Sequence, residues 1–121
     1  MMTTTKPMTL FLVNVPFADQ NKAKYRPALV IARGNKVIFI FKITSQYKTK
    51  SKLIKNVYYP IKLWRKTGLR KQSYVDIHKQ YAIDFKEFHH QKPIGSLTDE
   101  DIYGLAQFIK VHQVDIAKIN S

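Results

Sequence analysis

A chain of 121 residues, 45% of them apolar, is long enough for one domain and carries material for a compact core. It has no cysteine, which excludes a disulfide framework, a thiolate nucleophile and a cysteine-based metal site, and no apolar run approaches the ~20 residues of a membrane span. The formal net charge is +13, and it is concentrated: Gln20 to Val75 holds 15 Lys or Arg and no Asp or Glu, against 6 basic and 8 acidic residues elsewhere. A domain this small cannot average that charge away, so one face is strongly positive and suits a polyanion, nucleic acid first, then acidic proteins or an anionic membrane surface.

Residues 1–8 are expected to be disordered; Met1 to Pro7 is polar and threonine-rich and lacks the apolar core of a secretion signal. Thr9 to Val15 reads as the first strand, broken by a polar loop from Pro16 to Lys24. The run Lys24-Tyr25-Arg26-Pro27-Ala28-Leu29-Val30-Ile31 follows. Its second half starts a β-branched strand from Leu29 to Arg33. Pro27 fixes its own φ and pushes Arg26 toward extended geometry, which sets an always-charged planar guanidinium at the strand entrance.

Gly34-Asn35 is a turn signal, and Val37 to Ile43 is the third strand. Ile38, Ile40, Lys42 and Thr44 share one of its faces. Gln46 to Lys52 is a lysine-rich loop without an apolar anchor and is expected to be mobile. Leu53 to Ile61 reads as extended. Leu63 to Gln72 carries Trp64, Arg65, Lys66, Arg70 and Lys71 around Gly68; cations interleaved with an aromatic suit a nucleic-acid strand, and a Trp64 that plugs the core explains the ring equally well. Ser73 to His78 alternates, with Val75 and Ile77 inward and Tyr74, Asp76 and His78 outward. Tyr81 to Phe85 is a further short strand. The pair His89-His90 has no third ligand at a useful spacing, so no metal is assigned there. Thr98 is an N-cap ahead of Asp99, Glu100 and Asp101. Ile102, Leu105, Ile109, His112, Ile116 and Ile119 then make a helical stripe that packs on the sheet or on a partner, so one helix is expected over 98–119. Short strands followed by a helix predict a mainly β fold, a compact curved antiparallel sheet or small barrel in one domain, 1–121.

The ordered set Val15-Pro16-Phe17-Ala18-Asp19, Arg26-Pro27-Ala28-Leu29-Val30-Ile31, Ile43-Thr44-Ser45-Gln46, Ser73-Tyr74-Val75-Asp76, Ala82-Ile83-Asp84 and Ile94-Gly95-Ser96-Leu97-Thr98 resembles the PemK/MazF family of type II toxin–antitoxin toxins, from about Val13 to Ile109. The resemblance implies an SH3-like barrel of five to seven strands with a C-terminal helix, usually a homodimer. It implies a cytoplasmic, metal-independent endoribonuclease without cofactors that cuts single-stranded RNA, often mRNA. It also implies an antitoxin whose acidic tail occupies the RNA groove. Catalysis falls, by the same resemblance, to Arg26 and Thr44. Arg26 suits a phosphate whose negative charge grows during attack by the neighbouring 2′-hydroxyl, and Thr44 can donate a hydroxyl to that phosphate.

Lys24, Ser45, Gln46, Lys48, Lys50 and Trp64 are the expected RNA contacts. The chain departs from the family at Met8-Thr9, where Gly-Asp is usual, and at His78, where many relatives are acidic or polar. His78 is a candidate base for the 2′-hydroxyl, with an ordinary exposed strand histidine as the other reading. Two other functions compete with the endoribonuclease, and the first of them explains the charge equally well. One is a noncatalytic module that binds RNA or DNA, and the other is a protein-targeting toxin like the gyrase poisons on a related barrel.

Overall fold

The computed structural model describes residues 6–14, 25–88 and 92–121. The expected polar loop through Lys24 and the His89-His90 pair lie outside the described residues. Six strands form one antiparallel sheet: β1 (Thr9–Asn14), β2 (Tyr25–Arg33), β3 (Val37–Thr44), β4 (Tyr58–Pro60), β5 (Tyr74–Asp84) and β6 (Lys92–Ser96). Their order is β4-β5-β3-β2-β1-β6, mainly β as expected, but the ladder does not close on itself. Met8 is tied to the sheet through its N–H to the Val30 carbonyl at 2.6 Å and its carbonyl to the Leu97 N–H at 3.0 Å.

Strand pleating sorts the apolar residues onto two faces. Leu10, Leu29, Phe41, Ile43, Val75 and Ile77 form one core with Val57, Ile61, Leu97 and Leu105. Phe11, Val13, Ala28, Val30, Ile38, Ile40 and Ile83 form a second core on the other face, closed by Phe88 of the short helix α2 (Phe85–Phe88). The sheet is therefore buried on both sides over much of its length, which is why strands 2 and 3 read as nearly continuous apolar runs.

Two helices cover the first core. Thr98 caps α3 (Asp99–Val111) as expected, its Oγ1 accepting from the Asp101 N–H at 3.3 Å. Of the expected stripe, Ile102, Leu105, Ile109, Ile116 and Ile119 pack on that core, and Phe108, outside the expected stripe, packs there too. The single helix expected over 98–119 is two, with α4 (Gln113–Asn120) following a break at His112. The break has a local cause. The His112 N–H and ring Nδ1 both turn to the Phe108 carbonyl, at 3.1 and 2.8 Å, which ends α3 with a side-chain cap.

Three other expectations change. Leu53 to Ile61 is not one extended piece, because Ser51 caps a helical turn α1 (Lys52–Lys55), with the Ile54 N–H donating to its Oγ, and only then does β4 begin. Tyr81 to Phe85 is not a separate strand; β5 is continuous, with a register shift opposite Ile40 and Lys42. The loop after β3 has the anchor that its composition hid. Tyr47 stacks on Tyr74 of β5 with ring centroids 4.4 Å apart and planes 10° from parallel, and Lys55 lies over its ring.

Candidate active site

The sheet opens beside Pro27. This proline lies within β2 rather than ahead of it, paired with Leu12 of β1 on one side. On the other side the β2–β3 ladder ends at Ala28↔Lys42. A residue without an N–H interrupts nothing beyond the last rung. Arg26 and Thr44 lie beyond that last rung, two residues from Ala28 and from Lys42 respectively. Thr44 is paired with Tyr74 on β5.

A groove of about 690 Å³ occupies this opening. Its apolar lining is Leu12, Pro27, Ile43, Leu69 and Ile94. Arg26, Thr44, Ser45 and Gln46 line one part of it, and Gly68, Arg70, Lys71 and Ser73 another. No lining residue is acidic, and among the described residues Arg26, Arg70 and Lys71 pair with no carboxylate. The Thr44 hydroxyl oxygen accepts from the Gln46 N–H at 3.0 Å, which folds the chain back at the end of β3 and leaves the hydroxyl proton available as a donor.

The second wall is held against β6 by two glycines. Gly68 has φ +96°, a conformation that strains any other residue, and a Cβ on it would lie 2.6 Å from the Ile94 carbonyl oxygen. A Cβ on Gly95 would lie 2.1 Å from the Thr67 carbonyl oxygen. Backbone contact thus joins the open edge β6 to the segment after β4, where strand pairing does not.

Arg26, Thr44, Ser45 and Gln46 are therefore brought together. Lys48 and Lys50 stand farther along the Tyr47 loop and do not line the groove. Trp64, in a 3₁₀ turn (Trp64–Lys66), packs on the helix-side core with the Arg65 guanidinium 4.5 Å above its ring. His78 is also outside the groove lining. Its Nδ1 meets Asp76 Oδ1 at 2.5 Å, and the other Asp76 oxygen is 3.8 Å from Lys42 Nζ. Asp76, expected to face outward, is only 3% exposed, with Tyr58 of β4 as its cross-strand neighbour. Burial, with Asp76 nearby, pushes the Tyr58 hydroxyl up to about 12.

Arg70 and Lys71 are the groove residues that sequence reasoning left unassigned. Their signal is the basic run around Gly68, in which Trp64 is the more conspicuous residue. Among the described residues no group of three His, Cys, Asp or Glu could hold a metal ion. No helix among them is long and apolar enough to cross a membrane.

The fold is similar to that of the Mycobacterium tuberculosis toxin MazF-mt6, with TM-score 0.61 and 19% identity, covering 88% of this chain and 94% of that one. It is also similar to a MazE–MazF structure from Deinococcus radiodurans, with TM-score 0.59 and 15% identity over 93% of this chain and 96% of that one. No curated protein sequence matches the chain. Residues 6–112 match the PemK-like, MazF-like toxins of type II toxin–antitoxin systems, and the chain belongs to that family.

Proposed function

We propose that the chain is the toxin of a type II toxin–antitoxin pair and acts in the cytoplasm as a homodimeric endoribonuclease on single-stranded RNA, with mRNA the first candidate. The observation that carries this reading is that Arg26 and Thr44 line one cationic groove. In the proposed step the 2′-oxygen of a ribose attacks the adjacent phosphorus. The P–O5′ bond breaks, leaving a 2′,3′-cyclic phosphate and a 5′-hydroxyl, so the 2′-hydroxyl proton leaves and the departing oxygen gains one. Charge grows on the nonbridging oxygens, where Arg26 offers two parallel N–H donors and Thr44 a third. Arg26 is not the base, because a guanidinium keeps its protons. No metal takes part in these steps.

The Deinococcus radiodurans relative solved as a MazE–MazF assembly supports an antitoxin partner for this chain. An acidic antitoxin segment suits the charge of the groove. The test is incubation of the chain with defined RNAs in EDTA, with the ends mapped. Cleavage leaving 5′-hydroxyl ends, reduced a hundredfold or more in Arg26→Ala, is the expected result. A parent chain that binds RNA without cutting it overturns the nuclease reading and leaves a binding module.

A further inference from the structure

The groove carries more positive charge than one scissile phosphate requires. Arg26 serves the β2 side, while Arg70 and Lys71 stand on the segment after β4, and apolar side chains lie among them. Arg70 and Lys71 are exposed, and among the described residues neither has an acidic partner that would neutralise it. The backbone just before them is seated on β6. Gly68 and Gly95 let Thr67 and Gly68 sit directly on Ile94 and Gly95, closer than any side chain permits. Two unneutralised cations that follow this seated segment and line a groove with apolar side chains suit an anion.

We propose that Arg70 and Lys71 form a second phosphate subsite, so that the groove holds an oligonucleotide crossing the floor, with one base against Leu12, Ile43 and Ile94 and phosphates on either side. This rests on the nuclease reading for the role of Arg26, but its own content is binding. Nucleic acid is favoured over an acidic peptide because a flat base covers the apolar floor while its flanking phosphates reach both sets of cations.

The experiment titrates the full chain with a random-sequence 2′-O-methyl oligoribonucleotide of about ten nucleotides, which lacks the attacking hydroxyl, at several salt concentrations. Polyglutamate is the second probe. The double variant Arg70→Ala/Lys71→Ala is compared with the parent, with thermal midpoints confirming that both are folded. The expected result is roughly tenfold weaker oligonucleotide binding and a salt slope shallower by about 1.4, the loss of two phosphate contacts on a single strand. That result supports the subsite whether or not the parent cleaves RNA, so it stands apart from the nuclease reading. An unchanged slope and affinity overturn it, even if Arg26→Ala abolishes cleavage. Weakened binding of polyglutamate alone overturns it in favour of an acidic-peptide site.

Discussion

The Tyr59 hydroxyl donates to the Asp101 carboxylate at 2.6 Å, joining β4 to the first turn of α3. The same carboxylate accepts from the backbone N–H groups of Lys62 and Leu63 at 2.9 and 2.8 Å. Asp101 is fully buried, so it acts as the bolt between the helix and the segment that leads to the groove wall. Asp101→Ala strands the buried Tyr59 hydroxyl and two part-buried N–H groups and is expected to cost on the order of 3 kcal/mol, whereas Tyr59→Phe removes one bond and costs about 1 kcal/mol. Gly104 makes the approach possible, since a Cβ there would lie 2.5 Å from the Tyr59 hydroxyl oxygen. Gly104→Ala should therefore destabilise the chain in spite of the better helix propensity of alanine. Urea unfolding of the three variants checks the order.

Alkaline pH should loosen the same region. Burial and the bond to Asp101 hold the Tyr59 hydroxyl well above the usual phenol range, and Tyr58 is pushed from 10.0 up to about 12. A group whose folded pKa is raised contributes stability that is complete below its unfolded pKa and is lost as pH climbs through the folded value. For Tyr58 the window is pH 10 to 12. Stability should fall across it, and the decline should be shallower in Tyr58→Phe and Tyr59→Phe than in the parent, measured by denaturant unfolding at each pH.

The sequence carried the secondary structure wherever periodicity was long. The isoleucine stripe is legible because it repeats one physical signal over many residues, and the Gly34-Asn35 turn and the Thr98 cap because each is a strong local signal. Arg26 is legible in the sequence as a fixed guanidinium at a strand entrance, the catalytic roles of Arg26 and Thr44 come from the resemblance, and that both line one groove is invisible until the chain folds. The Tyr47 anchor was missed because its partner, Tyr74, is 27 positions away, and a lysine-rich loop looks solvated when read alone. Asp76 was misplaced for a similar reason. Alternation assigns a face, but only tertiary packing shows that the face is covered.

The glycine contact between the groove wall and β6 predicts a severe effect from one methyl group. Gly95→Ala puts a Cβ 2.1 Å from the Thr67 carbonyl oxygen, and that neighbour is backbone that cannot rotate away. Overpacking of this kind costs about 1–3 kcal/mol. It also displaces Gly68 to Lys71 from the groove. A lower thermal midpoint together with weaker oligonucleotide binding is expected. Weaker stability with unchanged binding would show that the wall does not touch the ligand.

His78 is held by Asp76 away from the groove lining, so His78→Ala should leave the rate of RNA cleavage within about threefold of the parent. A residue that takes the 2′-hydroxyl proton contributes roughly 10²–10⁴-fold, and a loss of that size would place the imidazole at the reacting hydroxyl after all. Asp76→Asn is the structural counterpart. It removes the negative charge shared by Lys42 and His78 and should lower stability by roughly 2 kcal/mol, readable by denaturant unfolding.

Thr44 carries a loop contact and the proposed phosphate contact on one hydroxyl. Its oxygen accepts from the Gln46 N–H at 3.0 Å, while its hydroxyl proton is the part proposed to reach the phosphate. Serine keeps both functions and loses a methyl group; valine keeps the shape and loses both. Thr44→Ser is expected to retain turnover within a few-fold, and Thr44→Val to lose about a hundredfold in kcat with a small change in KM, because a donor that meets developing charge acts on the transition state more than on bound substrate. Single-turnover cleavage of one mapped RNA measures both. Equal losses in the serine and valine variants would assign Thr44 to packing. A rise in KM alone in the valine variant would assign it to ordinary binding.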